Sequence, residues 1–328
     1  MTMLEKFKRI KLGHFPTPIE YLNNISKYLG GPNIFIKRDD CTGLATGGNK
    51  TRKLEFLIPD AIINKAELIV TVGAIQSNHA RQTAAACALF GLKCLIILEQ
   101  RLKDPHESYM KSGNVFLDKL FGAEVKICPK DEDINEYSEK LIKNIKSKGI
   151  NAYFIPGGGS NSLGSLGYVE CLNEIIKENN KYNFSQIVHA TGSAGTQAGL
   201  LAGRKYFNYK VPVTGICVRH KKDTQVDKVY NEAKKTCEKL QCNILDKSDV
   251  TVYDEYIGTG YGEPTEGMIE ATKLLARKEA ILLDPVYSGK AFAGLIGLIK
   301  NKKFTKSDNV LFIHTGGSAS LSAYEWAF

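Results

Sequence analysis

Short apolar runs of strand length alternate with helical patterns along most of this chain, and that alternation limits the fold more than any other feature. The runs fall at residues 68–72, 94–98, 125–128, 153–155, 187–189, 211–218, 281–283 and 310–314. Between them, residues 77–90, 107–120, 134–148, 163–178, 195–207, 224–240, 263–277 and 289–300 carry helical periodicity. A strand covered by helices on both faces has no polar side to show, so it reads as a continuous apolar run. The pattern predicts an α/β protein of open, twisted, mainly parallel sheets in three α/β/α layers.

The chain has 328 residues, 43% of them hydrophobic and 24% charged, which suits a soluble globular protein of one or two domains with a large core. Two glycine-rich turns, residues 43–48 and 157–159, bracket the first four strands. They predict a small α/β domain at 51–159 inserted into a large domain made of 1–50 and 160–328. The formal net charge is +9, but the lysines are spread along helical faces, and the patch Arg219-His220-Lys221-Lys222 is too short for nucleic-acid binding. Eight cysteines, at 41, 87, 94, 128, 171, 217, 237 and 242, form no C-x-x-C pair and no metal-ligand spacing. Reduced thiols, no signal-peptide core and no run of membrane-spanning length predict a cytoplasmic protein without metal, nucleic-acid or membrane partners.

Gly47-Gly48-Asn49-Lys50-Thr51-Arg52-Lys53 places a lysine in a glycine-rich loop at the entrance to a helix. An amine there can form a Schiff base with an aldehyde cofactor, and the flanking glycines let a bulky ring approach the backbone. In residues 71–79 a strand ends in a turn and Ser77 opens a helix, ahead of Asn78 and His79. The free N–H groups of that first turn favour an anion such as a substrate carboxylate. Gly192, Ser193, Ala194, Gly195 and Thr196 follow another strand and open a helix of small residues, a cradle for a phosphate. No Gly-Lys-Ser/Thr follows, so the cradle is not a nucleotide P-loop. Three further turns, around Tyr261, Tyr287 and Thr315, sit at ends of elements, where α/β folds collect ligands.

Taken in order, these motifs resemble the pyridoxal-phosphate enzymes of the tryptophan synthase β-like fold (fold type II), in the D-cysteine desulfhydrase and 1-aminocyclopropane-1-carboxylate deaminase family. The resemblance spans residues 16–317 and rests on Lys-Arg-Asp-Asp at 37–40, Gly-Gly-Asn-Lys-Thr-Arg-Lys at 47–53, Gln-Ser-Asn-His at 76–79 and Asp-Pro-Val-Tyr at 284–287. It implies pyridoxal 5'-phosphate held on Lys50, with its phosphate at Gly192 to Thr196 helped by Lys53. It places Asn78 by the ring hydroxyl and Thr315 by the pyridine nitrogen. Ser77, Asn78 and His79 would meet the substrate, and Tyr261 and Tyr287 match the family's two active-site tyrosines. A homodimer is also implied.

Members that open the cyclopropane ring resemble one another in a Glu directly after the second tyrosine, where this chain has Ser288, and a Leu where it has Thr315. A carboxylate beside the pyridine nitrogen favours its protonated, electron-withdrawing form, whereas a hydroxyl gives no such support. The weaker electron sink suffices when a thiolate leaves, so the resemblance implies β-elimination of D-cysteine to pyruvate, ammonia and hydrogen sulfide. Lys50 is then the base for the α-proton, and Tyr261 or Tyr287 the acid for departing sulfur. Alternatives are sulfite release from L-cysteate, with Arg52, His79 and Arg81 as basic surroundings, the deaminase reaction, β-replacement, and a non-catalytic binding protein that keeps the cradle.

Overall fold

The computed structural model describes residues 2–328. Its strands are β1 (Ile19–Tyr21), β2 (Asn33–Lys37), β3 (Leu68–Ala74), β4 (Lys93–Glu99), β5 (Glu124–Ile127), β6 (Ala152–Ile155), β7 (Gln186–Thr191), β8 (Val213–Cys217), β9 (Thr251–Tyr253) and β10 (Asn309–Ile313). The helices are α1 (Asn23–Leu29), α2 (Lys50–Ile63), α3 (Asn78–Leu89), α4 (Glu107–Lys111), α5 (Gly113–Leu120), α6 (Ile134–Ser147), α7 (Ser162–Tyr182), α8 (Gly195–Tyr206), α9 (Lys222–Leu240), α10 (Glu266–Glu279) and α11 (Ser288–Lys300). No helix among the described residues is long and apolar enough to cross a membrane.

The strands form two sheets. One runs β1-β2-β10-β7-β8-β9, the other β5-β4-β3-β6. Only β1, paired with β2, is antiparallel. The last strand, β10, lies at the centre of the larger sheet, with Val310 opposite Ile34 of β2 and Ile313 opposite His189 of β7. Apolar side chains of β7 and β10 are fully buried on both faces, as the continuous apolar runs require.

Seven of the eight expected strands are present. The exception is 281–283, which is extended and buries Ile281 and Leu283 against α10 and α11 without joining a sheet. Its apolar character serves side-chain packing, which hydrophobic pattern alone does not distinguish from pairing. The expected helix at 107–120 breaks at Ser112, whose extended backbone (φ −104°, ψ −172°) separates α4 from α5. The sequence reading did not include β1, β2, β9 or α1 among its elements.

Helix α2 carries Lys50 and is anchored in buried charge. Arg52 Nε and Nη2 donate to the two oxygens of Asp39, each at 2.8 Å, and Nη1 donates to Glu174 Oε1 at 2.8 Å. Lys37 Nζ donates to Glu174 Oε2 at 2.7 Å, and the Tyr168 hydroxyl to Asp39 Oδ2 at 2.7 Å. Burial pushes the Asp39 carboxyl up, but Arg52 outweighs it and holds the group below the usual carboxylate range. Gly167 of α7 makes this packing possible, because a Cβ there would lie 2.3 Å from the Arg52 carbonyl oxygen.

Candidate active site

Parallel strands of both sheets direct their carboxyl ends toward one cleft of about 350 Å³. It is lined by Ser77 after β3, Arg101 after β4, Gly157, Gly158 and Ser160 after β6, Gly192 to Ala194 after β7 and Arg219 after β8, with Lys50, His79, Tyr261 and Tyr287. A narrower recess adjoins it, lined by Asn49, Lys50, Asn78, Thr196, Tyr287 and Thr315.

Lys50 is the first residue of α2 and is buried. Burial pushes its ammonium down to about 8, partly offset by a hydrogen bond with Lys53. A neutral fraction near neutral pH far above that of an ordinary lysine makes this amine a nucleophile or a base. Lys53, one turn on, donates from Nζ to the Gly158 carbonyl at 3.0 Å and the Ser160 hydroxyl at 3.1 Å. Burial, followed by the Lys50 charge, lowers its proton affinity well below normal. Two amines held together without a carboxylate hydrogen-bonded to either mark a place for an anion.

The start of α8 faces that amine. A Cβ on Gly195 would lie 3.0 Å from Lys53 Nζ. Ser160 Oγ donates to Ser193 Oγ at 2.8 Å and accepts from the Gly195 N–H at 3.2 Å, joining the loop after β6 to the turn after β7. Gly158 is required in that loop. Its φ is +72°, and a Cβ would lie 2.3 Å from Ser193 Oγ and 3.4 Å from Lys50 Nζ. Thr196 Oγ1 accepts from Asn49 Nδ2 at 3.2 Å, which ties the cradle to the Lys50 loop.

At the opposite side Ser77 caps α3, its hydroxyl accepting from the Ala80 N–H at 3.1 Å. Asn78 Oδ1 accepts from Asn114 Nδ2 at 2.9 Å and Arg81 Nη1 at 3.3 Å, which fixes the amide. His79 Nε2 is hydrogen-bonded to Thr71 Oγ1 at 2.8 Å, and its buried Nδ1 has no partner among the described residues. Burial, then Lys50 and Lys53, pull its proton affinity well below normal, so His79 is neutral.

Tyr261 and Tyr287 come together edge to face, centroids 5.8 Å apart, with their hydroxyls hydrogen-bonded to each other. Burial pushes both phenols up. Tyr287 is positioned by Asp284, whose carboxylate accepts from the N–H groups of Val286, Tyr287 and Ser288 at 3.0, 3.0 and 2.6 Å and so caps α11. The Ser288 hydroxyl donates to Asp284 Oδ1 at 2.6 Å and accepts from the Asp284 N–H at 2.7 Å. It is committed to the cap and does not line the cleft. Lys290 Nζ donates to the carbonyls of Ile257 and Gly260 at 2.6 and 2.9 Å, holding the turn before Tyr261. Thr315 follows β10, and its carbonyl accepts from the Asn49 N–H at 3.0 Å.

The structure therefore gathers Lys50, Lys53, Ser77, Asn78, His79, the 192–196 turn, Tyr261, Tyr287 and Thr315 around one cleft and its recess. Of the expected basic surroundings it brings only His79 there, as a neutral ring. Arg52 is consumed by Asp39 and Glu174, and Arg81 by Asn78, Asn114 and the Gly47 carbonyl. The cleft's guanidinium groups belong instead to Arg101 and Arg219. Sequence reading passed over these two, and also Asn49, Ser160 and Lys290. Position just beyond a strand's carboxyl end was the available signal for Arg101 and Arg219.

Comparison with known proteins identifies the family and the fold. A family model described as pyridoxal-phosphate dependent enzyme matches residues 10–316. The crystal structure of an ACC deaminase homologue superposes with a TM-score of 0.90 at 36% identity, covering 99% of this chain and 96% of that one. A hydrogen sulfide-producing enzyme from Fusobacterium nucleatum shares the fold, with a TM-score of 0.64 at 16% identity over 97% of this chain and 98% of that one. The chain belongs to the pyridoxal-phosphate dependent enzymes of tryptophan synthase β-like fold, and pyridoxal 5'-phosphate is its cofactor.

Proposed function

We propose that the protein catalyses β-elimination of D-cysteine to pyruvate, ammonia and hydrogen sulfide. The residues present fit the cofactor: a buried amine of lowered proton affinity at Lys50, and a second amine at Lys53 facing the start of a helix. When bound, pyridoxal phosphate supplies an electron sink conjugated to the substrate's α-carbon. In this reading Lys50 carries the cofactor and its amine later takes the α-proton. Gly192, Ser193, Ala194, Gly195 and Thr196 would hold the phosphate with Lys53, Asn78 would meet the ring hydroxyl, and Thr315 would stand beside the ring nitrogen.

The substrate carboxylate is assigned to the start of α3, where Ser77 and the N–H groups of Asn78 and His79 favour negative charge. Neutral His79 adds no positive charge there, so the helix start orients the carboxylate by hydrogen bonding. Tyr261 and Tyr287 flank the path of the departing sulfur. The separation of a small domain at 51–159 from a large one at 1–50 and 160–328 belongs to the same proposal, since the whole smaller sheet falls between those bounds.

The observation that carries elimination over ring opening is Ser288. Its hydroxyl is bonded twice to Asp284, and the side chain facing the recess is the neutral Thr315. With no carboxylate at either position, reactions with a good leaving group are favoured. The test offers D-cysteine, L-cysteine, L-cysteate and 1-aminocyclopropane-1-carboxylate separately to the cofactor-loaded protein. Equimolar pyruvate and sulfide from D-cysteine is the expected result. Ketobutyrate from the cyclopropane amino acid, with D-cysteine inert, would select the deaminase instead. Sulfite from L-cysteate is the second reading, favoured by the two guanidinium groups in the cleft.

A further inference from the structure

The cleft holds more positive charge than a phosphate and an α-carboxylate account for. On the function proposed above, on which this inference rests, the first anion goes to Lys53 and α8 and the second to the start of α3. The remaining basic side chains of the wall are Arg101, Arg219, His220 and Lys228, and Glu232 is its one carboxylate. Arg101 lies over the Tyr261 ring, 4.7 Å from its centroid, and pairs with Glu99 at 2.6 Å. Arg219 has no hydrogen-bonded or ion-paired carboxylate among the described residues. Arg219 is exposed at the mouth of the cleft, and its guanidinium stays charged. Burial and the neighbouring cations push His220 down to about 4, so it is neutral. Two guanidinium groups therefore stand in the wall that carries the tyrosine pair, and only Arg101 has a carboxylate partner, so an incoming negative charge is met by Arg219.

We propose that Arg219, backed by Arg101, is the receptor for negative charge on the substrate's β-substituent. The substrate class is then amino acids whose β-substituent is bound or expelled as an anion, a thiolate or a sulfonate. In the elimination the Cα–H bond breaks and its proton passes to the Lys50 amine. The Cβ–S bond breaks with its electron pair remaining on sulfur, and a Cα=Cβ bond forms. Water then converts the released enamine to pyruvate and ammonia, and no oxidant or reductant enters. Sulfur leaves as hydrosulfide, or as sulfite, into a field already in place, the condition under which electrostatic stabilisation acts most strongly. The Tyr261–Tyr287 pair, both phenols neutral, adds a hydrogen bond to the same group.

Two readouts on the cofactor-loaded protein test this with R219Q and R219K. The first is affinity for cysteate against alanine, followed by the cofactor's visible spectrum. These ligands share the amino acid head and differ in a permanent second charge. The second is the ratio of kcat/KM for D-cysteine to that for β-chloro-D-alanine, whose chloride leaves as a very weakly basic anion that needs little stabilisation. R219Q is expected to lower the cysteate-to-alanine affinity ratio about tenfold, the order of one charged hydrogen bond, and the turnover ratio similarly. R219K should recover part of both. An unchanged affinity ratio in R219Q overturns the assignment. If the wild type releases no pyruvate from either turnover substrate, the elimination reading falls while the affinity ratio still decides the role of Arg219.

Discussion

Arg52 and Asp39 meet in a double hydrogen bond sealed from water, two residues along the helix from Lys50. Removing the Asp39 charge leaves Arg52 and Lys37 to share the one carboxylate of Glu174 in the interior. Asp39→Asn is expected to destabilise the fold by about 3–5 kcal/mol, measured by denaturant unfolding. The pH sign follows from the lowered proton affinity of Asp39. Its contribution is full above the ordinary carboxylate range and is lost as pH falls through the depressed folded value. The stability gap between wild type and variant should therefore narrow in acid. A gap that widens in acid would contradict the pairing.

The Lys50 amine predicts how capture of the cofactor responds to pH. Lowered to about 8 by burial, it is mostly charged at pH 6 and mostly neutral at pH 9. Only the neutral amine attacks an aldehyde. The rate at which apoprotein takes up pyridoxal phosphate should rise through pH 8 and then level off. A profile still climbing at pH 10 would mean an unperturbed lysine, and Lys50→Ala should lose both the cofactor's visible band and turnover.

Gly158→Ala separates cradle from scaffold. The methyl group would strike Ser193 Oγ at a backbone angle that L-residues seldom adopt. Cofactor affinity should drop about tenfold or more, given a strain of about 1–3 kcal/mol, with the far-ultraviolet spectrum unchanged. Cofactor retained on dialysis, compared between variant and wild type, is the measurement.

The shared hydrogen bond between Tyr261 and Tyr287 predicts coupled effects. Each Tyr→Phe change should lower kcat/KM about ten- to a hundredfold, the worth of a hydrogen bond to a charged group. The double variant should lose less than the product of the two, because either single change already breaks the pair. Full multiplicativity would show that the hydroxyls act independently.

Much of the fold was legible because buried parallel strands leave continuous apolar runs. The short edge strands β1 and β9 have three residues each and leave no such trace. β2 was obscured by Asn33 and Lys37 at its ends, and Lys37 is tolerated in the interior through the Thr17 carbonyl and Glu174, the latter 137 residues away in sequence. The Lys50 loop, the 192–196 turn and the Ser77 helix start were readable because each combines glycines or a capping residue with a neighbouring element. Arg101 and Arg219 were harder to read, since their position beyond a strand's carboxyl end does not say what they face, and Arg219 also stands in a short basic patch. Arg52 and Arg81 misled for the same reason: their partners are set by tertiary contacts.

The order of strands in the larger sheet has a consequence for synthesis. β10 is made after the other nine described strands, yet it fills the gap between β2 and β7, and Thr315 follows it. A nascent chain that has completed the Lys50 loop and the phosphate turn still lacks the strand that joins their two sides. Cofactor capture then becomes a late event, and a chain broken off early exposes unpaired edges of β2 and β7 that mark it for removal rather than a half-built catalyst.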